Sequence, residues 1–227
     1  MNQAQQADLP GPFAVKDCAV ASIATGVSAA DLRELREGLA EADEGTVYYH
    51  FWGGLVRPRF DDPEFHNDFA VWARNALRDQ VLAERLGIID PSNFQELGEL
   101  RGRVLEVVDQ RLEEREQTPT ALPGQQFYFV RSQLVVFDTH LRLQTPEEMV
   151  DALPELSLGS VFYHFVDARR RQPYGRSDFA AWLNQWPRVP RLCCQDLAKM
   201  DPFFAGLREL RRRLAEVLRR HLSEEAS

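Results

Sequence analysis

The stretch "GTVYYHF" at Gly45–Phe51 returns as "GSVFYHF" at Gly159–Phe165. Two tyrosines or a tyrosine and a phenylalanine, a histidine and a further phenylalanine crowd behind a glycine in each. Reading outward, "NDFAVW" (Asn67–Trp72) matches "SDFAAW" (Ser177–Trp182), and "IDP" (Ile89–Pro91) matches "MDP" (Met200–Pro202). "LGELRGRVLEVVDQRL" (Leu97–Leu112) matches "LRELRRRLAEVLRRHL" (Leu207–Leu222). The order is kept, which is the mark of a tandem internal repeat. Each copy opens on an apolar segment, "FAVKDCAVASIATG" or "FYFVRSQLVVFDTHLRL". The seam falls in the polar, proline-bearing Glu113–Gln126. The modules are therefore residues 13–116 and 127–222.

Local signals give each module a strand followed by four helices. Phe127–Leu143 is rich in Phe, Val and Tyr and reads as a strand; Phe13–Ala24 is its alanine-diluted counterpart. "SAAD" (Ser28–Asp31) and "TPEE" (Thr145–Glu148) open the next helices, the second with proline at the first helical position. Thr46 and Ser160 read as caps of the helices that carry the repeated phrase, and Asn67 and Ser177 as caps of the helices after them. Leu97, Leu100, Val104, Val108 and Leu112 make one apolar stripe, and Leu207, Leu210, Leu214, Leu218 and Leu222 the other. Pro187 and Pro190 break the second copy where the first carries a continuous "LRDQVLAERL" (Leu77–Leu86). The expected fold class is mainly α (α+β), a tandem duplication of this module packed about a pseudo-twofold axis.

At 227 residues and 44% hydrophobic content the chain can bury a full core. No run approaches the ~18 apolar residues of a membrane span. The polar start "MNQAQQADLPGP" lacks the basic and apolar regions of a secretion signal, so the expected location is the cytoplasm. Three cysteines, with Cys193 and Cys194 adjacent, offer neither a disulfide framework nor a cysteine zinc site. The net charge of −8 argues against nucleic acid as a partner. The charge is uneven: Ser28–Glu116 holds 20 acidic against 11 basic residues, and Val166–Leu222 holds 13 basic against 6 acidic. The arginines Arg169, Arg170 and Arg171, with Tyr174 nearby, are the centre of a candidate basic face for an anionic small molecule or an acidic protein. Association into an oligomer is left open.

Positions kept between the copies are Tyr49 and Tyr163, His50 and His164, Asp68 and Asp178, and Trp72 and Trp182. Histidine beside carboxylate is the raw material of general acid–base catalysis, and Thr46 or Ser160 one helical turn earlier would complete a hydroxyl–His–Asp set. The bland reading carries more weight. A capping hydroxyl is already used, an Asp in a first turn suits the helix dipole, and a histidine held by that Asp pins two helices together. No G-x-S-x-G elbow accompanies the set. His50, His66 and Asp68 form a 2-His-1-carboxylate pattern in the first copy, but Arg176 replaces His66 in the second. H-E-x-x-H, the P-loop and G-x-G-x-x-G are absent, so no cofactor is expected. Tyr49, Trp72, Tyr163 and Trp182, with the three arginines and Tyr174, remain as binding candidates.

The phrases "TVYYHF…NDFAVW…LAERLGIIDP" and "SVFYHF…SDFAAWL…DPFF…LRELRRRL" resemble a prokaryotic family, domain of unknown function 5752. The resemblance covers nearly the whole chain. It implies no established activity and carries over no catalytic residue. The reading favours a non-enzymatic binding, interaction or scaffold protein. The rival is a small hydrolase or transferase, linked to sugar metabolism, that uses a His/Asp pair in a cleft between the repeats.

Overall fold

The structure, a computed structural model, describes residues 10–56, 64–117, 119–171, 175–204 and 206–222. The chain divides into two compact units. One is Met1–Ala19 with Val136–Ser227, and the other is Val20–Val135. Among the described residues, ten α-helices accompany a two-stranded sheet, an α-rich α+β architecture. No described helix is long and apolar enough to cross a membrane.

The strands are β1 (Phe13–Ala29) and β2 (Phe127–Leu143). Thr25 Oγ1 donates to the Phe129 carbonyl at 2.7 Å, and Thr139 Oγ1 donates to the Val15 carbonyl at 2.6 Å. Moving up β1 from Val15 to Thr25 moves down β2 from Thr139 to Phe129, so the strands are antiparallel. Just beyond each threonine the backbone turns left-handed, at Gly26 (φ 80°) and at His140 (φ 63°). Glycine takes that conformation freely. His140 is held in it by a hydrogen bond from its amide to the Asp138 carboxylate.

In the unit Val20–Val135, β1 leads to α1 (Leu32–Glu41), α2 (Glu44–Val56), α3 (Asp68–Asn75), α4 (Gln80–Gly87) and α5 (Leu97–Glu113). Asp31 caps α1 by accepting from the Arg33 and Glu34 amides, and Asn67 caps α3 by accepting from Ala70. α2 begins earlier than the sequence suggested: Asp43 accepts from both the amide and the hydroxyl of Thr46, so Thr46 lies inside the first turn instead of capping it. The expected continuous helix at Leu77–Leu86 is also broken. Arg78 sits at φ 53° and Asp79 caps α4 afresh. Among its described residues this unit therefore has five α-helices where four were expected. α5 buries Leu97, Leu100, Val104 and Val108 as its stripe predicts, and adds Arg111, whose guanidinium bonds both oxygens of the buried Asp79 at 2.9 and 3.0 Å.

In the other unit, β2 leads to α6 (Pro146–Ala152), α7 (Leu158–Val161), a π-helical turn (Phe162–Val166), a 3-10 turn (Asp167–Arg170), α8 (Asp178–Leu183), α9 (Arg191–Lys199) and α10 (Leu207–Leu222). Thr145 caps α6 with Pro146 in its first turn, and Ser177 caps α8. Again the cap of the repeated phrase lies a turn earlier than expected: Ser157 accepts from the Ser160 amide. The break between α8 and α9 contains Pro187 and Pro190. α10 buries Leu207, Leu210, Leu214 and Leu218.

The glycine of the repeated phrase has a packing reason. A Cβ on Gly159 would collide with the Cys18 carbonyl oxygen and the Asp17 carboxylate of β1. A Cβ on Gly45 would stand 2.9 Å from the Ser132 carbonyl oxygen of β2. In each case a helix lies directly against a strand backbone, and only hydrogen fits between. Gly159→Ala is expected to lower stability by roughly 1–3 kcal/mol, the usual cost of overpacking, and Gly45→Ala by less, because one of its neighbours is the flexible Arg131 side chain. Urea denaturation of the two variants measures both values and their order.

Candidate functional site

α2 presents His50 inward, with 3% of its surface exposed. Its Nδ1 lies 2.9 Å from Asp68 Oδ2 at the start of α3, and its Nε2 accepts the Val130 amide of β2 at 3.2 Å. A backbone N–H can only donate, so Nε2 carries the lone pair and Nδ1 the proton. His164, on the π-helical turn, is held in the same way. Its Nδ1 is 2.7 Å from Asp178 Oδ2 on α8, and its Nε2 accepts the Lys16 amide of β1 at 2.8 Å. Each imidazole thus ties a helix start to the outward-facing peptide of a strand. The sequence led us to expect a link between two helices; the strand partner is the addition.

Aromatic packing surrounds each link. Phe127 stacks on Phe69 at 5.1 Å, lies 4.6 Å from the His50 ring and meets Trp72 edge-on. Phe13 lies 4.8 Å from the His164 ring and packs on Phe179 and Trp182. The indole N–H of Trp72 donates to the Gln125 carbonyl, and that of Trp182 to the Gly11 carbonyl. Both tryptophans are buried, as are Tyr49 and Tyr163.

The hydroxyls do not join these links. Thr46 Oγ1 is bonded to Asp43, and Ser160 Oγ lies 3.0 Å from Ser157 Oγ. The 2-His-1-carboxylate pattern does not assemble either. His66 is exposed while His50 is buried, and among the described residues no three His, Cys, Asp or Glu side chains gather to hold a metal. The cysteines are free thiols. Burial pushes Cys18 and Cys193 up to about 12, which leaves them protonated and unreactive.

Two of the three consecutive arginines serve the fold. Arg169 turns inward, donates to the Leu197 and Met200 carbonyls at the end of α9 and lies 4.2 Å over the Phe165 ring. Arg171 lies 4.1 Å over the Tyr163 ring and donates to Asp178 Oδ2 and to the Tyr163 carbonyl, both at 2.9 Å. Arg170 is half-buried, and Tyr174 lies outside the described residues. On α10, Arg211 donates to the Leu156 carbonyl, while Arg212 pairs with Glu209 and Glu216 and Arg213 with Glu209. Burial pushes the Asp178 carboxyl up, but the His164 hydrogen bond and the Arg171 charge outweigh it and hold the group below its ordinary 3.8.

The unit Val20–Val135 holds an open groove of about 510 Å³ between α2, α3 and the start of β2. Tyr49, Trp72 and Tyr128 supply rings, and Asn75, Gln125 and Gln126 supply amides. His50 and Asp68 are also among its described lining residues. The sequence singled out Tyr49 and Trp72 but missed Tyr128 and the two glutamines, which lie at the start of β2 and in the seam before it, where no repeated phrase marks them.

The chain belongs to the family described as a family of unknown function, DUF5752, whose model matches residues 10–219. Among solved structures it is similar to "The structure of OrfY from Thermoproteus tenax", with 28% identity and a TM-score of 0.79 over 95% of this chain and 99% of that one. No curated protein matches.

His50→Ala orphans the Val130 amide, and His164→Ala orphans the Lys16 amide. Each is expected to cost about 1–3 kcal/mol in urea unfolding. Asp178 sets an acid limit. Its folded pKa is depressed, so the stability it contributes is fully present above 3.8 and is lost as pH falls through the lower folded value. Denaturation measured across acidic pH is expected to show a loss of stability that Asp178→Asn reduces.

Proposed function

We propose that this member of the family is a non-enzymatic binding protein, built as a scaffold from two duplicated modules, residues 13–116 and 127–222. The observation that carries the first part is the occupancy of both histidines. A general base needs a lone pair aimed at substrate, and in His50 and His164 that lone pair receives a backbone amide. This weighs against a hydrolase or transferase that uses either His/Asp pair.

The duplication is supported by matched contacts: His50, Asp68, Val130, Phe127 and Trp72 against His164, Asp178, Lys16, Phe13 and Trp182. In each set the strand residues come from one module and the helix residues from the other. The two modules have therefore exchanged the first halves of their opening strands. All three cysteines are unbridged, which suits a reducing compartment, and the cytoplasm is the location this reading takes.

The groove of the unit Val20–Val135 is the binding site in this proposal. Its rings offer flat apolar faces and its amides offer donors and acceptors, a combination that fits an uncharged, hydroxyl-rich ring such as a sugar. Rings and amides make up most of its described lining, which favours a neutral ligand over an anion. Tyr128 is 58% exposed, so its removal leaves the core intact. Ligand-observed NMR with methyl glucoside is expected to show saturation transfer in the wild type and its loss in Tyr128→Ala. Phenyl phosphate is expected to show none. Stronger transfer to phenyl phosphate, or no change in Tyr128→Ala, contradicts this ligand class.

A further inference from the structure

We infer that the groove of the unit Val20–Val135 holds a ring-sized slot beside Trp72, kept open by Ala76, and that a ligand seats its ring there. The inference deepens the proposed function and rests on its choice of this groove as the binding site. Its warrant is a comparison inside the chain. "DFAVWARNA" (Asp68–Ala76) matches "DFAAWLNQW" (Asp178–Trp186). Ala76 and Trp186 each stand one turn after the matched tryptophan, where a side chain lies next to the tryptophan's own.

The two tryptophans are held alike. The indole N–H of Trp72 donates to the Gln125 carbonyl and that of Trp182 to the Gly11 carbonyl. Phe127 meets the first ring edge-on, and Phe13 meets the second. One turn later they differ. The Ala76 amide bonds the Trp72 carbonyl at 2.8 Å, in the α-helical pattern. Trp186 follows in a tighter turn, with its amide on the Leu183 carbonyl at 3.1 Å. Its indole is buried and comes to 5.5 Å from the Trp182 ring, edge-on at 69°. The unit that contains Trp182 thus supplies its own ring at this place. Beside Trp72 the matching position offers a methyl group instead, and Trp72 and Ala76 both line the groove.

The amides one position earlier differ in the same sense. Gln185 turns back on its own helix and donates to the Ala181 carbonyl at 3.3 Å. Asn75 is exposed and lines the groove, and its side chain bonds no described residue. A carboxamide both donates and accepts, which suits adjacent hydroxyls on one ring. A ring face against Trp72 with hydroxyls toward Asn75 is the pattern by which proteins hold a neutral sugar.

Filling the slot from the protein's own side tests the inference. The four resident tryptophans are buried, so a fifth indole left in water shows as red-shifted emission. Ala76→Trp is expected to add the blue emission of a buried ring and to reduce saturation transfer from methyl glucoside to background. Ala76→Leu fills the space with a smaller group. It is expected to lower the transfer as well, and it carries the test where the larger ring prevents folding. Asn75→Ala leaves the slot open and is expected to weaken methyl glucoside binding about fivefold, the worth of one hydrogen bond. Red-shifted emission from the added indole overturns the slot. So does undiminished transfer in folded Ala76→Trp or Ala76→Leu. A buried added indole together with no transfer in the wild type supports the slot and overturns the sugar as its ligand, so the two failures are told apart.

Discussion

A strand at the margin of a sheet has amides that must find acceptors, and in this protein a buried imidazole supplies one in each unit. The Val130 amide reaches His50 and the Lys16 amide reaches His164. Everything near the two links is arranged around that need. The aspartate at the next helix start accepts the hydrogen bond of the other ring nitrogen's N–H and so fixes the tautomer. A phenylalanine of the strand lies against the ring, and a tryptophan one helical turn beyond the aspartate donates to a carbonyl just ahead of the strand. The glycine five residues before each histidine lets the helix come close enough for the bond to form. The repeated phrase is a device for docking a helix on a strand.

Each link has further described neighbours. Next to His164, Arg171 bonds the same aspartate oxygen and stacks on Tyr163, so a carboxylate in a largely buried setting faces both an imidazole N–H and a guanidinium. Near His50 the chain opens a groove lined by rings and amides. The same local plan thus stands beside a guanidinium in one unit and beside a groove in the other.

Much of this was legible in the sequence, and what was not has identifiable causes. β2 reads from Phe127 to Leu143 because β-branched and aromatic residues crowd it, and the two leucine stripes read as helices because their period admits no other element. The caps at Asn67 and Ser177 follow from residue type alone. The caps at Asp43 and Ser157 were misplaced by a turn because Gly45 and Gly159 look like helix boundaries when their task is clearance. The amides of Val130 and Lys16 leave no trace in the sequence, since every residue but proline has one. Arg169 and Arg171 read as a surface run, although helix-end carbonyls and aromatic faces draw them inward. A repeat shows that two modules are alike; it does not show on which module each strand packs.

That last point bears on how the chain is made. Lys16 and His164 are 148 positions apart. As the chain emerges from its N-terminus, Val20–Val135 contains all the strand and helix segments of its own unit and can close as soon as it is complete. Phe13–Ala19 cannot, because Phe179 and Trp182, which cover Phe13, are among the later residues to appear. Loop closure over such a span is slow compared with contacts inside one unit. The half-strand Phe13–Ala19 therefore waits with its apolar face uncovered until the residues that cover it have been made.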